Sequence, residues 1–335
     1  IRWNIFRFHK NYNNLNMKNI YKNSIKNINK AKKILNKNNI IALPTETVYG
    51  LAGNAYSDKS VKKIYTLKNR PRINPVIIHY YNLKFLKNDA YIDKEFLKLY
   101  KKFSPGPLTY ILKKKENSRV SKYSNAKLKS IAVRFPSNKI IRNLLKDLKF
   151  PLAIPSANIS TSLSPVKSSD VYDEFGNKLS FILDGGITKI GLESTVISLL
   201  KKIQILRPGS ISSKEISKVL NRNIKYQSKI NRIVSPGQLK RHYSPGIPIK
   251  LNCKTVDDKD AFIVFGKKYK SKKNIFNLSK KGDLKEAGKN LYRILRKIKN
   301  LGYKKIKVLR IPNNKIGVAI NDRLKKASYW NVYTN

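Results

Sequence analysis

Residues 40–55 read IIALPTETVYGLAGNA. The apolar run at its head is short and is bounded by the turn-like NKNN before it and Pro44 after it, the pattern of a buried strand. The strand delivers Thr45, Glu46, Thr47 and Tyr49 into a turn that contains Gly50 and Gly53. Polar groups at the end of a strand are where α/β folds usually bind ligands. Upstream, Ile20, Ile25, Ile28, Ala31, Ile34 and Leu35 recur at helical spacing, so a helix over 20–35 is expected to lead into the strand. Downstream come a helix over 61–67, strand-like VIIHY at 76–80 and a helix over 94–102. LTYIL, SIAVRF, LAIPS, FILD and STVISLL then follow between 108 and 200. Helices interleaved with short β-rich runs predict an α/β domain, and the clustering of strands after 108 allows a mixed sheet.

Residues 226–246, YQSKINRIVSPGQLKRHYSPG, hold two Ser-Pro-Gly turns and little periodicity, which is linker composition. Beyond them AFIVFG at 261–266, a helix over 284–300, KIKVLRIP at 305–312 and helical AINDRLKKAS at 319–328 predict a second, smaller α/β unit. The 335 residues suit two domains of roughly 150 residues each. The expected organisation is a disordered extension at 1–16, a catalytic domain at 17–225, the linker at 226–246 and a C-terminal domain at 247–335. The extension is basic and acid-poor, as transit peptides are, but lacks Ser enrichment and periodicity. Met17 is the expected start and residues 1–16 are expected to be dispensable.

No run approaches the ~18 apolar residues of a membrane-spanning helix. Cys253 stands alone, so no internal disulfide forms, and with only His9, His79 and His242 a Cys/His zinc site cannot be assembled. That fits a reducing, cytoplasmic setting. The 72 basic against 19 acidic side chains give +53, a field that attracts phosphates and, weakly, tRNA. Yet 57 of those cations are lysine, and the chain is crowded with Asn, Ile and Tyr, all encoded by A/T-rich codons. The charge therefore reflects base composition as much as a binding device.

KNRPRINP at 68–75 places Lys68 and Arg70 at the end of a predicted helix, before prolines that impose a rigid path. Alternate residues of an extended segment face the same way, so Lys68, Arg70 and Arg72 are expected to converge on one anion. Arginine offers a planar fork for phosphate oxygens and lysine a mobile point charge. PSANIS at 155–160 adds the neutral hydrogen-bonding groups of Ser156 and Asn158 directly after a buried strand. No GxxxxGK[ST] or GxGxxG occurs, which disfavours ordinary P-loop and dinucleotide readings.

In order and spacing, PTETVYGL, KNRPRINP followed by His79, SPGPLT at 104–109, IAVRFP at 131–136, PSAN, GLESTVISL at 191–199 and ILRPGSIS at 205–212 resemble the YrdC/Sua5 family of threonylcarbamoyl-AMP synthases. SPGQLKRHYSP at 235–245 and IGVAINDRLKKAS at 316–328 resemble the linker and C-terminal domain of its long form, so the resemblance covers about residues 20–330. It implies a YrdC-like domain with a twisted mixed sheet and a smaller Rossmann-like C-terminal domain. It also implies synthesis of threonylcarbamoyl-AMP and pyrophosphate from L-threonine, bicarbonate and ATP, with Mg²⁺ accompanying ATP. The product would pass to a tRNA threonylcarbamoyl transferase. By motif match, threonine would be held by Thr47, His79, Arg134 and Ser194. The nucleotide would be held by Lys68, Arg70, Asn74, Ser130, Ser156, Asn158, Ser164 and Arg207, with Tyr243 reaching back from the linker; Lys68 and Arg70 would be catalytic. Glu46 and Glu193 suggest a base or metal ligand, or equally a brace for a neighbouring loop. Asn69 stands where the family usually has glycine, and Val76 where it often has leucine; asparagine tolerates a left-handed backbone.

Two other readings compete. A non-catalytic RNA-binding protein would use the same basic surface but has no need of an amino-acid pocket. A carbamoyl-transfer enzyme of the hydrogenase-maturation type would need zinc fingers, which one cysteine cannot supply.

Overall fold

The structure, a computed structural model, describes residues 18–227, 233–239, 242–269 and 271–329. The extension at 1–16, Met17 and Arg241 lie outside them. In chain order the first unit runs β1 (Ile20–Lys22), α1 (Ile25–Asn36), β2 (Ile41–Pro44), β3 (Tyr49–Asn54), α2 (Asp58–Lys68), β4 (Ile77–His79), α3 (Leu83–Asp89) and α4 (Lys94–Phe103). It continues with β5 (Leu108–Lys113), β6 (Ser130–Arg134), α5 (Lys139–Asp147), β7 (Leu152–Ala153), α6 (Ser168–Phe175), β8 (Ile182–Asp184), β9 (Thr195–Ser198), β10 (Gln204–Arg207) and α7 (Ser213–Leu220). The second unit holds β11 (Ile249–Cys253), β12 (Ala261–Val264), β13 (Ile275–Asn277), α8 (Leu284–Asn300), β14 (Ile306–Leu309) and α9 (Gly317–Ser328).

Ten strands form one mixed sheet in the order β1-β8-β2-β3-β7-β4-β6-β5-β9-β10. The second unit's sheet, β11-β14-β12-β13, is parallel throughout. Side chains alternate across a strand, and this decides which face each residue serves. In β2, Ile41 and Leu43 pack with α1 and α5, whereas Ala42 turns to α6. In the other half of the sheet Ile78, Tyr110, Ile131 and Val133 pack under α2, α4 and α7. The opposite face there carries only a small apolar floor of Ile77, Ile111, Ala132 and Val196. By the same alternation His79, Thr109, Ser130 and Arg134 share that thinly covered face.

Two expectations need correction. Ile20 belongs to β1, which pairs in parallel with Ile182–Asp184. The helix starts only at Ile25, where the Ser24 hydroxyl accepts the Asn27 N–H and caps it, with Ile28, Ala31 and Leu35 turned inward. Gly50 and Gly53 are not turn residues either; the turn is Thr45–Val48, and both glycines lie inside β3. A Cβ on Gly50 would come 2.2 Å from the Ile154 side chain, so close approach between strands, rather than a left-handed backbone, requires glycine there. The helix expected at 284–300 matches α8, and Arg207 ends β10 as its strand-end reading expected, while β3, α3, α5, α6, α7, β11 and β13 were not anticipated.

The two units share one apolar cluster. Val48, Leu163, Val166 and Leu192 of the first pack with Leu291, Tyr292, Ile316 and Ile320 of the second. Gly191, at φ +78°, lets the first unit touch the second: a Cβ there would lie 2.6 Å from the Lys289 backbone of α8.

Candidate active site

The β2–β3 turn is built by Thr45. Its hydroxyl donates to Val48 O (2.7 Å), accepts the N–H groups of Thr47 and Val48, and meets the Thr47 hydroxyl at 2.8 Å. The turn directs Thr47 into a cavity and sends Glu46 to Arg134, whose Nη2 lies 2.7 Å from Oε1 in a buried ion pair. Glu46 therefore braces the loop. Register places His79 opposite Arg134 between β4 and β6, and Thr109 opposite Arg134 between β6 and β5. Thr109 shares a 2.7 Å hydroxyl contact with Ser194. Arg207 donates from Nε to Ser194 O and from Nη2 to Ser194 Oγ, both at 3.1 Å.

Helix α2 stops at Asn69, whose φ of 49° and ψ of 48° are the left-handed conformation expected of asparagine at that position. Lys68, the last helical residue, is buried and donates to the carbonyls of Ser156 and Asn158. Burial holds its ammonium well below the usual lysine value, and Arg70 adds to the effect. Arg70 donates to Asn74 O (2.9 Å) and Pro75 O (2.6 Å). Lys68 and Arg70 thus meet because a helix end turns sharply, not because an extended segment alternates. Arg72 is exposed and meets Arg70 only at a separate surface pocket, away from Lys68.

One cavity of about 50 Å³ gathers Thr47, Arg70, His79, Arg134, Ser156, Arg207 and Tyr243 in its wall. Lys68, Asn74, Asn158, Ser164 and Ser194 stand behind that wall as buried residues. The Oδ1 atoms of Asn74 and Asn158 have no partner among the described residues, and nor do Glu46 Oε2, His79 Nε2 and the Tyr243 hydroxyl. Ser130 is the outlier: it faces the same side as Arg134 but starts β6, about 13 Å away by strand rise. Sequence reasoning did not single out Thr109 as a site residue, although it ends the quoted SPGPLT, nor Gly237 and Arg323; His242 is singled out only as part of the Arg241-His242-Tyr243 cluster expected to make the linker a lid.

The linker is no bare tether. Ser235, Gln238, His242, Tyr243 and Ser244 are buried, and Pro236, Gly237, His242 and Tyr243 close the cavity. Gln238 Oε1 accepts the N–H groups of Val234 and Ser235, and Ser244 N donates to Thr161 O. From the second unit, Lys326 Nζ donates to Gly237 O at 2.8 Å.

Burial, then Arg134, holds the His79 imidazole well below 6.5; burial, then Arg70, Lys68, Lys326 and Arg207, does the same for His242. Both are neutral at pH 7. The unfolded chain takes protons near pH 6.5 that the native imidazoles refuse, so stability is full above that value and lost as pH falls below it. The slope is up to about 1.4 kcal/mol per pH unit for each histidine. The melting temperature is expected to be flat from pH 7 to 8 and to fall between 6.5 and 5; equal values at 5.5 and 7.5 would contradict the assignment.

Fold and cavity together define a two-unit α/β enzyme with a small polar pocket beside a buried cationic cluster. A family model described as "Telomere recombination", the Sua5, YciO and YrdC domain, matches residues 33–209, and one described as "Threonylcarbamoyl-AMP synthase, C-terminal domain" matches 211–328. The threonylcarbamoyl-AMP synthase of Pyrococcus abyssi is 34% identical over 315 residues, covering 88% of this chain and 91% of that protein. The Bacillus subtilis threonylcarbamoyl-AMP synthase is 37% identical over 231 residues, 67% of this chain and 66% of its own. The crystal structure of P. abyssi Sua5 complexed with L-threonine superposes with a TM-score of 0.84 at 32% identity, covering 92% of this chain and 96% of that one. The chain belongs to the YrdC/Sua5 family of threonylcarbamoyl-AMP synthases, in its long two-domain form.

Proposed function

We propose that the chain condenses L-threonine, bicarbonate and ATP into threonylcarbamoyl-AMP with release of pyrophosphate, supplying the adenylate for threonylcarbamoylation of tRNA. Threonine and bicarbonate form an N-carboxy intermediate whose carboxylate attacks the α-phosphate, so the protein need position and neutralise charge but supply no nucleophile. The observation that carries this reading is the single cavity that joins Thr47, His79 and Arg134 to Arg70, Ser156 and Arg207. Arg134 would take the threonine carboxylate through the guanidinium face that Glu46 leaves free, with Thr47, His79 and Ser194 around it. Lys68 and Arg70 would hold the triphosphate, with Asn74, Ser130, Ser156, Asn158, Ser164 and Arg207 along the nucleotide. The adenylate is proposed to pass to a tRNA threonylcarbamoyl transferase in the cytoplasm. Among the described residues no helix is long and apolar enough to cross a membrane.

Among the described residues no three of His, Cys, Asp and Glu lie together to hold a metal. Glu193, the carboxylate in the wall, is committed to Arg323, and Glu46, behind it, to Arg134. The chain's own donors therefore do not fit a protein-held ion, and we propose that Mg²⁺ arrives with ATP, bound through phosphate and water. Pyrophosphate release measured with and without threonine and bicarbonate tests the reaction. Release that depends on both supports it; none, with RNA retained on the same surface, would favour the binding protein instead.

The cavity of about 50 Å³ is far below the roughly 300–1,000 Å³ of ordinary small-molecule pockets and is closed on one side by linker residues, so we propose that the linker withdraws to admit ATP and seals the adenylate afterwards. Tyr243→Ala is expected to keep consuming ATP while losing the adenylate faster, read as pyrophosphate formed against adenylate trapped. An unchanged ratio and unchanged ATP affinity would leave 226–246 as a tether.

A further inference from the structure

Arg323, in the last helix of the second unit, is fully buried 130 residues away from the carboxylate it binds. Its Nε donates to Glu193 Oε2 at 3.0 Å and its Nη1 to Pro208 O at 2.7 Å, while the guanidinium carbon lies 5.1 Å from the centre of the Tyr243 ring. Glu193 is a wall residue, Pro208 directly follows the wall residue Arg207, and Tyr243 is the linker's contribution to the wall. One side chain thus fastens three separate pieces of the cavity without lining it. A fourth piece, Gly237, is held one turn along α9 by Lys326.

Attachment of the two units does not explain this arrangement, because the shared apolar cluster already joins them. Burying a guanidinium is costly unless its partners are well placed, so its value lies in specifying geometry. Glu193 is correspondingly saturated: Ser164 Oγ donates to it at 2.5 Å and the Tyr292 hydroxyl lies 3.1 Å from each oxygen. Burial alone would raise that carboxyl, but Arg323, Arg207 and the Ser164 bond outweigh it and hold it below its usual value. Of the groups around Glu193 and Arg323, Tyr292 and Asp322 (2.8 Å from Arg323 Nη1) belong to the second unit, while Ser164, Arg207 and Tyr243 belong to the nucleotide side named above. Arg323 Nη2 and the Tyr243 hydroxyl have no partner among the described residues.

We propose that Arg323 is a positioning residue for ATP: it sets Glu193, the turn after Arg207 and the linker Tyr243 in the arrangement that receives the nucleotide, so the C-terminal unit completes the nucleotide half of the site. This rests on the functional reading above.

The test uses the full chain, with Arg323→Met, Arg323→Lys and the double variant Arg323→Met with Glu193→Gln, each followed by melting curves and by pyrophosphate release titrated separately in ATP and in threonine. Expected are a tenfold or larger loss of kcat/KM for ATP in Arg323→Met, a threonine KM within twofold of the starting protein, and partial recovery in Arg323→Lys. The double variant removes the stranded buried carboxylate and reads the same split if Arg323→Met alone does not fold. A merely structural role would move both substrates alike, in proportion to folded protein lost. That result overturns the proposal, as does an Arg323→Met enzyme with unaltered ATP kinetics. If the starting protein releases no pyrophosphate, the functional reading fails. Thermal stabilisation by ATP alone then decides: a shift that Arg323→Met loses supports the positioning role, and an equal shift or none overturns it.

Discussion

Arg70→Ala is expected to lower pyrophosphate release about a hundredfold at saturating ATP, the equivalent of about 3 kcal/mol lost from a charge-assisted contact that strengthens in the transition state. The expectation rests on position. Arg70 follows a helix that ends in a left-handed asparagine, its Nε and Nη2 are pinned to the carbonyls of Asn74 and Pro75, and its side chain reaches the cavity wall. Two backbone bonds leave the guanidinium little freedom to rearrange, so the charge is preorganised before ATP arrives. Steady-state kinetics separate the outcomes. A fall in kcat identifies a contact that strengthens in the transition state, whereas a raised KM with kcat intact would mean that Arg70 binds substrate and transition state alike. Near-normal turnover at saturating ATP would remove Arg70 from the catalytic set.

Glu46→Ala should destabilise the fold by about 3–5 kcal/mol, because it strands the Arg134 guanidinium, 4% exposed, without its carboxylate. Glu46→Gln keeps a hydrogen-bond acceptor and should cost less. Denaturant unfolding gives both values. Because Arg134 is also the proposed partner of the threonine carboxylate, added threonine should recover part of the loss in Glu46→Ala more strongly than it stabilises the starting protein. A loss under 1 kcal/mol, or no difference in the response to threonine, would show that Arg134 is otherwise satisfied and that the Glu46 brace is incidental.

Much of the fold was legible because its signals are local. Alternating and continuous apolar runs marked β4, β5, β6, β8 and β9, and helical spacing marked α2, α4 and α8 within a few residues. Asn69 in place of glycine was read as compatible with a left-handed backbone, which it adopts at the end of α2, although the extended path expected after Lys68 is replaced by a sharp turn. Thr47, Arg70, His79, Arg134, Ser156, Arg207 and Tyr243, named by motif from the sequence, line one cavity. Where local reasoning failed, a neighbour distant in sequence decided. Ile20 fits a helical stripe but pairs with Ile182, and Gly50 resembles a turn glycine but yields to Ile154.

The sequence by itself carried the two-unit plan and the longer elements, because apolar period and turn chemistry act over a few residues of chain, and its motifs named the polar groups by resemblance. Only the tertiary structure decided how those groups are grouped. Strand register set Thr109 and His79 beside Arg134, the turn after α2 left Arg72 outside, and the linker folded inward to bury Tyr243. Arg323 shows the reason most clearly. It lies in the quoted IGVAINDRLKKAS stretch, but nothing there says what it binds: its meaning comes from a carboxylate 130 positions away, a distance over which no spacing rule in the sequence carries information.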